Sequence, residues 1–490
     1  MADPKMVLRP EHCVVLDGKP CAACTEDMEL EKEIKQLEIR IEEIHSMRRA
    51  LRMTMNENHD PLIYKFPPEI ASHFLMKYSP PSMFFERSHK ISPLYLGAVC
   101  QKWRQLAWAT PGLWTSLKPG CPLVEKFNNN LPQLMTEWLE RSASLPLTFR
   151  LVDHRGWLDG PQPINILNMH SVRWHDMHIE VPANLLDRFC GSSQGNILRR
   201  LVLCHPFAPG RNIRNLSTFS MKTKASPTDL TLRTVGLPYV NILWDNLTVA
   251  SVYNIGVDDC LELIRRAPLL ETLTLQAINP SSDIFPIPNT RIVHFHLRSL
   301  ELLGIWKEGV VIGILDSLCL PSLEQWIHSR SRFPLDNMIS FIGCLSSCLK
   351  TFKISTDNVD CHQLTGLLSH LSSLESLELR AIQYPLTGEL ISLLCASAQS
   401  PLYLPYLKSL ESVGEYHFPW ESLPQIFAPT SRWQSLRVRV YNVYPHLFEE
   451  ETARLLLELV DKGFDLHIVG YGDIYLLQEH MRKVEGTLQD

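Results

Sequence analysis

The sequence PLLETLTLQ, at residues 268–276, decides the fold, because its pattern recurs along the second half of the chain. Its leucines follow the spacing L-x-x-L-x-L, in which alternate residues of a short strand are apolar. The pattern is found, with variations, in NILRRLVL (196–203), WDNLTVASV (244–252), PLLETLTLQ (268–276), LRSLELLG (297–304), LPSLEQW (320–326), CLKTFKIS (348–355), LSSLESLEL (371–379), PYLKSLESV (405–413) and RWQSLRVRV (432–440). Through the better-defined part these stretches stand roughly 23 to 33 residues apart, which indicates a repeat with variable loops.

Each stretch resembles the strand half of a leucine-rich repeat. Between them lie helical candidates such as VDDCLELIRRA (257–267) and CHQLTGLLSHL (361–371). One strand and one helix cannot bury their apolar sides alone, whereas stacked copies share a continuous core. The resemblance implies an α/β fold in which a curved, leucine-rich-repeat-like solenoid occupies residues 196–440. A connector with first irregular repeats (118–195) precedes it, and a C-terminal cap (441–490) follows.

Shorter patterns predict the segments on either side of the repeats. In the connector they predict a helix from Leu131 to Ser142, followed by a strand in SLPLTFRLV (144–152). Prolines and a glycine between residues 205 and 227 predict an irregular interruption. Toward the C-terminus the patterns predict a helix from Glu449 to Lys462, a strand in FDLHIVG (464–470) and a final amphipathic helix from Ile474 to Glu485.

The repeats also predict a broad surface. Successive side chains of a strand point to opposite faces, so the leucines point inward and the residues between them point outward. These outward residues are candidate recognition positions: Thr272, Thr274, Ser299, Glu301, Ser376, Glu378, Arg437 and Arg439. Most of them are expected to be ordinary solvated strand residues, and a minority to carry binding energy.

The N-terminal part contains a heptad pattern over residues 29–57, preceded by a tail (1–28) that is expected to be flexible. The apolar residues of the heptads alternate by four and three, with Arg48 as a polar interruption: Leu30, Ile34, Leu37, Ile41, Ile44, Leu51 and Met55. The pattern is about three to four heptads long, which suits either a weak coiled-coil dimer or a helix that folds back onto its own chain. Acidic and basic residues alternate on the other faces, so this helix does not resemble a DNA-binding region.

Between the coil and the connector, residues 60–117 read DPLIYKFPPEIASHFLMKYSPP (60–81) and, at the end, SPLYLGAVCQKWRQLAWATPGLWTSL (92–117). Proline is well placed in a first helical turn, so one helix is predicted to start near Pro67 or Pro68. A second is predicted over Pro93 to Val99 and a third over Cys100 to Ala109. Three short helices cover only a small core, which leaves apolar groups without an internal partner and favours a docking module.

These residues resemble an F-box. Phe66-Pro67-Pro68-Glu69-Ile70 stands where the family has Leu-Pro-x-Glu-Leu or Ile, and Val99-Cys100 with Trp103 matches its V-C-x-x-W signature. Leu113-Trp114 matches its closing L-W. More narrowly, the coil, the split F-box and the AVCQKWRQLAWATPGLWTSL phrase resemble proteins abundant in mushroom-forming basidiomycete fungi. The resemblance implies an adaptor-binding site of Phe66, Pro67, Pro68, Glu69, Ile70, Val99, Cys100, Trp103, Leu113 and Trp114, in which Val99, Cys100, Trp103 and Trp114 form the core or its apolar contact.

The chain departs from the F-box pattern in two places. Phe66 replaces the usual leucine, which keeps an apolar anchor of different shape. The insertion at 80–91, with Met83, Phe84 and Phe85, is longer than the family needs between its first two helices. It is interpreted either as an extra packed flap or as an addition to the adaptor surface.

The F-box resemblance implies a substrate-receptor subunit of a Skp–cullin–F-box ubiquitin ligase. Its partners would be a Skp-type adaptor, the cullin scaffold and a protein substrate on the repeat face. The alternative is a protein-interaction scaffold outside the ubiquitin system. The sequence contains no P-loop, no H-E-x-x-H and no G-x-S-x-G nucleophile elbow, so a non-catalytic protein is expected.

Composition narrows the class of protein further. The 490 residues carry a net charge of −6, so nucleic acid is not an expected partner. No run of about 18 apolar residues and no secretory signal is recognised, so neither membrane insertion nor secretion is expected. The 13 cysteines are odd in number and lack a regular framework, which favours reduced thiols in the cytoplasm, the nucleus or both.

Three groups of residues have spacings that suit metal or thiol chemistry. Cys21 and Cys24 form a CxxC downstream of His12 and Cys13, but no second pair follows at finger spacing. His175 with His178, and His294 with His296, lack evident carboxylate or thiol partners. Cys100 lies in an apolar helical setting and is interpreted as a core residue. No metal and no cofactor is expected.

Overall fold

The computed structural model describes residues 19–59, 62, 65–78, 93–118, 130–153, 162–205, 217–345, 348–355, 361–380, 390, 392–394, 403–413, 420–427, 436–441 and 449–469. The predicted insertion at 80–91 and the predicted final helix at 474–485 lie outside these residues, as does most of the predicted tail. The chain divides into two compact units: unit 1 comprises Met1–Ser116 and Leu139–Leu145, and unit 2 comprises Leu117–Trp138 and Pro146–Asp490.

Unit 1 is helical. Its helices are α1 (Ala22–His59), α2 (Pro68–Tyr78), α3 (Pro93–Val99) and α4 (Gln101–Trp108), followed by a 3₁₀ helix (Pro111–Trp114). The three predicted short helices are confirmed, and α2 and α3 begin at prolines because a first-turn proline sacrifices no hydrogen bond.

Unit 2 combines helices with a long sheet. Its helices are α6 (Gln162–Met169), α7 (Val257–Arg266), α8 (Glu308–Ser317), α9 (Leu335–Ile342), α10 (Cys361–Leu368), α11 (Leu423–Ile426) and α12 (Glu450–Asp461), while α5 spans Leu131–Arg141. The strands are β1 (Ser116–Leu117), β2 (Leu147–Val152), β3 (Trp174–Glu180), β4 (Arg200–Cys204), β5 (Phe219–Ser220), β6 (Asp229–Arg233), β7 (Val240–Asn241), β8 (Val249–Tyr253), β9 (Thr272–Gln276), β10 (Ile292–Val293), β11 (Ser299–Leu303), β12 (Leu318–Cys319), β13 (Gln325–Ser329), β14 (Thr351–Ser355), β15 (Ser376–Arg380), β16 (Ser409–Val413), β17 (Arg437–Tyr441) and β18 (Leu466–Val469).

Fourteen of these strands form one sheet in the order β1-β2-β3-β4-β6-β8-β9-β11-β13-β14-β15-β16-β17-β18. From β2 onward, neighbours pair in parallel. Each of the L-x-x-L-x-L stretches supplies one strand, which confirms the repeat prediction. The fold is a leucine-rich-repeat-like α/β solenoid. The repeat pattern did not predict β6, because DLTLR carries only the second half of the pattern.

The register places equivalent side chains of successive repeats side by side. One inner row runs through Leu273, Leu300, Trp326, Phe352 and Leu377, all fully buried. Each residue therefore packs against its equivalents in the adjacent repeats, which is how stacking supplies a core that one repeat lacks.

A second inner row contains a histidine where the adjacent repeats have aliphatic residues. His328 lies in register between Leu302 and Ile354 and is fully buried. Its Nε2 lies 2.9 Å from the carbonyl oxygen of Arg332. Burial lowers the pKa of His328 to about 4, because the apolar surroundings penalise the charged imidazolium.

This pKa predicts that unit 2 loses stability in mild acid. The unfolded imidazole binds a proton near pH 6.5 and the folded one only near pH 4. Stability therefore falls as the pH drops below 6.5, by about 2 kcal/mol on reaching pH 5. Urea unfolding at pH 7 and pH 5 should show a smaller loss in His328→Leu than in wild type. His370→Leu, at an exposed position, should retain the wild-type loss. Equal losses in all three proteins would contradict the assignment to His328.

Candidate protein-interaction surfaces

The short helices of unit 1 enclose a small core. Its buried apolar residues are Ala71, Leu75, Leu96, Ala107, Leu113 and Trp114. The indole Nε1 of Trp114 donates a hydrogen bond of 2.8 Å to the carbonyl oxygen of Ala107. The guanidinium of Arg141 lies 4.9 Å from the Trp114 ring centre and 4.7 Å from that of Trp108. Leu113 and Trp114 thus support the shape of the module from inside.

Polar contacts fix the ends of α4. Cys100 is the N-cap: its Sγ accepts a hydrogen bond of 3.4 Å from the backbone N–H of Trp103. At the other end, Thr110 Oγ1 bonds to the carbonyl oxygen of Leu106 at 2.6 Å and to Ser72 Oγ of α2 at 3.0 Å. Cys100 was interpreted from sequence as a core residue; it is instead half-buried, because a cap position lies at the helix end.

The F-box-like motif lies on the exterior of unit 1. Phe66 is 42% exposed, Ile70 47% and Val99 49%. Pro67, Pro68 and Glu69 are exposed as well, and Trp103 is half-buried. Apolar side chains outside the motif are exposed as well: Phe74, Tyr78, Leu94 and Tyr95. An exposed group of large apolar residues on a small module is typical of a docking surface.

On the open side of the sheet in unit 2, outward residues form rows in register. One row passes from Thr274 through Glu301, Ile327 and Lys353 to Glu378, and continues through Glu411 to Arg439. Of the predicted outward positions, Thr272, Thr274, Ser299, Glu301, Ser376 and Arg439 are half-buried and Arg437 is exposed.

Glu378 departs from this prediction, because it is only 5% exposed. Its carboxylate pairs with Lys353 Nζ at 2.8 Å and with Arg380 Nε. Burial alone would raise the pKa of Glu378, but these hydrogen bonds outweigh it and lower the pKa. In the next strand, burial and the nearby Glu378 raise the pKa of Glu411. The row therefore ends in a cluster of basic and acidic side chains, and such a cluster is complementary to the polar surface of a protein partner.

A groove of about 550 Å³ follows the edge of the sheet where the strands begin. Its wall alternates in charge, because the residue before each strand is in turn Glu271, Arg298, Glu324, Lys350 and Glu375. Two large aromatic side chains of the groove are exposed, Phe295 and Tyr406. The alternation is visible in the sequence once the repeats are aligned, because each charged residue directly precedes the first residue of its strand.

Neighbouring charges of this wall form ion pairs. Lys350 Nζ lies 3.0 Å from Glu324 Oε2, and Lys408 Nζ lies 2.6 Å from Glu375 Oε2. The hydrogen bond with Glu324 raises the pKa of Lys350, and that with Lys408 lowers the pKa of Glu375. Both shifts favour the charged forms of Lys350 and Glu375. Because positive and negative side chains alternate along the wall, it offers hydrogen-bond donors and acceptors without an electrostatic field of one sign.

Among the described residues, no three His, Cys, Asp or Glu side chains are grouped to hold a metal ion. The Sγ atoms of Cys21, which directly precedes α1, and Cys24, in its first turn, lie 3.6 Å apart. His294 is buried, with Nε2 at 3.0 Å from the carbonyl oxygen of Ala267 and Nδ1 accepting from the N–H of Leu297, so it serves the fold.

No helix in the described part of the chain has the length and apolar character needed to cross a bilayer.

Comparison with known proteins adds two similar solved structures. The leucine-rich repeat-containing protein LegL7 from Legionella pneumophila matches 52% of this chain and 90% of its own, with 14% identity and a TM-score of 0.31. A Bacteroides fragilis protein matches 44% of this chain with 13% identity and a TM-score of 0.31, and the match spans 65% of that protein, just under two thirds. No family model and no curated protein matches this sequence. The parallel register of the strands in this chain defines its repeat fold.

Proposed function

We propose that the protein is a substrate-receptor subunit of a Skp–cullin–F-box ubiquitin ligase. The F-box-like module docks a Skp-type adaptor, and the adaptor connects the protein to the cullin scaffold. The open sheet face and the edge groove of unit 2 hold a protein substrate. The protein itself makes and breaks no bond; it raises the effective concentration of the substrate at the ligase.

One observation carries the adaptor half of the proposal. The residues that match the first F-box motif, from Phe66 to Ile70, are exposed, whereas Leu75 on the opposite side of α2 is buried. The module is thus folded around Leu75, Leu113 and Trp114 and leaves the motif free for a partner. A motif needed only for folding would instead be buried in the module's own core.

The substrate half is supported by the two surfaces of unit 2. Both combine charged side chains held by ion pairs with uncharged polar residues, and the groove adds the exposed rings of Phe295 and Tyr406. Such surfaces recognise proteins by shape and charge, with aromatic residues as the anchors of highest energy. The substrate class is a folded or extended polypeptide.

A binding measurement with a purified Skp-type adaptor tests the proposal. The variant combines Pro67→Ala with Ile70→Asp. It is expected to weaken adaptor binding at least a hundredfold, because the new carboxylate would be buried unpaired in the interface. Since both residues are exposed in the free protein, stability should change by no more than about 0.5 kcal/mol.

The matched control is Leu269→Asp, an equivalent apolar-to-acid change at an exposed position of unit 2; it should bind the adaptor as wild type does. If the folded wild-type protein does not bind the adaptor, the protein is a scaffold outside the ubiquitin system. Binding that survives the double substitution would place the contact elsewhere on the module and contradict the assignment of the motif.

A further inference from the structure

The apolar seam of α1 is uncovered over its whole length. Its members are each between 47% and 65% exposed: Leu30, Ile34, Leu37, Ile41, Ile44, Leu51 and Met55. From Leu30 to Met55 the seam is about 38 Å long at 1.5 Å per residue. The sequence left open whether this helix folds back onto its own chain. The exposure of the seam shows that no described residue of unit 1 covers it, and a stripe of this size is typical of an interaction site.

The charges that flank the seam are divided between the two halves of the helix. In the N-terminal half the residues beside the seam are acidic, namely Glu26, Glu31, Glu33 and Glu38. The basic residues beside the seam in the C-terminal half are His45 and Arg52, while Arg40 lies near the middle of the helix. Flanking charges of a coiled coil face those of its partner and set the orientation of the two helices. A helix with one acidic and one basic half is complementary to a second copy of itself that runs in the opposite direction.

We infer that α1 pairs with α1 of a second copy of this chain as an antiparallel coiled coil. When Ile41 is placed opposite the partner's Ile44, every seam residue finds a seam residue: Ile34 faces the partner's Leu51, Leu30 faces the partner's Met55, and Leu37 faces the partner's Arg48. In this register Glu31 lies beside the partner's Arg52, and Glu38 beside the partner's His45. Each contact occurs twice because the pair has twofold symmetry.

The parallel arrangement is disfavoured by the same residues. It would bring Glu26 beside the partner's Glu31 and Glu33 beside the partner's Glu38, again twice each. It would also place Arg48 opposite the partner's Arg48 inside the seam, where like charges are desolvated together. In the antiparallel pair, the aliphatic stem of Arg48 packs on the partner's Leu37 and its guanidinium reaches the solvent.

Charge reversal in the full-length protein distinguishes the two orientations. Sedimentation equilibrium of wild type should give a dimer of twice 56.2 kDa at micromolar concentrations. The double variant Glu31→Arg, Glu38→Arg should raise the dimer dissociation constant at least tenfold, since the change at position 31 puts a positive charge beside the partner's Arg52 and the change at position 38 removes the carboxylate beside the partner's His45. The control variant Glu29→Arg, Glu42→Arg has the same change of net charge at exposed positions off the seam, and should dimerise as wild type does.

A compensating variant completes the test. Adding His45→Glu and Arg52→Glu to the Glu31→Arg, Glu38→Arg protein reverses both members of each proposed pair, so dimerisation should recover to within about threefold of wild type. A tighter dimer in the first double variant would establish the parallel orientation and overturn the inference. A wild-type protein that stays monomeric at tens of micromolar would overturn it too, and would assign the seam to a different protein. The outcome is independent of adaptor binding.

Discussion

Trp326→Ala is expected to lower the free energy of unfolding of unit 2 by about 3–5 kcal/mol. Trp326 is fully buried in the inner row between Leu300 and Phe352. Its ring centre lies 5.1 Å from that of Phe352 and 5.3 Å from that of Phe341 in α9. Alanine would therefore open a cavity between a strand, its neighbour and the helix behind them. Native-state hydrogen exchange should show the loss first in β11, β13 and β14.

Two further variants test whether the loss of stability in Trp326→Ala comes from the cavity. Trp326→Phe keeps most of the ring and removes an indole N–H that finds no hydrogen-bond partner among the described residues; it should cost about 1 kcal/mol. Trp306→Ala, at a position that is 66% exposed, should cost less than about 0.5 kcal/mol. The packing argument fails if Trp326→Ala is as mild as Trp306→Ala.

Trp114→Ala is expected to unfold the F-box-like module while the sheet of unit 2 remains folded. The indole fills the centre of a core of few residues, donates to Ala107 and stacks on Arg141. Its loss costs about 3–5 kcal/mol, which is comparable to what so small a core supplies. Hydrogen exchange of peptides from α3 and α4 should become fast, and that of β9 and β11 should stay slow.

The control for Trp114 is Tyr95→Ala, which removes an exposed aromatic ring from α3 and should leave the protection of α4 unchanged. Protected α3 and α4 in Trp114→Ala would show that the indole is not essential to the module. Under the proposed function, Trp114→Ala should also lose adaptor binding, but for a different reason from the Pro67→Ala, Ile70→Asp variant: Trp114→Ala loses the fold of the module, whereas the double variant keeps the fold and loses the proposed contact.

Much of the fold could be predicted from the sequence because the signals are local. The spacing of leucines predicted the repeat strands, and the prolines at 68 and 93 marked two helix starts. Asp258 and Asp259 lie in the first turn of α7, where the helix dipole favours negative charge, but the sequence does not show what else these two carboxylates contact. Both are buried, and Asp258 accepts hydrogen bonds from Ser282 and Ile284, which lie in the loop after the next strand.

Contacts between residues that are distant in the sequence also limit what the sequence says about the candidate sites. In α2, Ile70 and Ala71 are adjacent apolar residues, and only the packing of the module decided that Ala71 is buried and Ile70 exposed. Glu378 looked like a solvated strand residue, whereas Lys353 from the neighbouring strand pairs with it in a nearly buried position.

The sequence by itself determined the periodic features of this protein: the heptad seam of α1, the three short helices and the strand of each repeat it recognised. These follow from residue spacing, since a helix or a strand repeats its own geometry along the chain. Only the tertiary structure decided which carboxylates and histidines are buried, which motif residues remain exposed, and that the charges before successive strands line one groove. Those properties depend on contacts between residues that are distant in the sequence, and the energy of burying a charged or polar group depends on the partners that the fold brings to it.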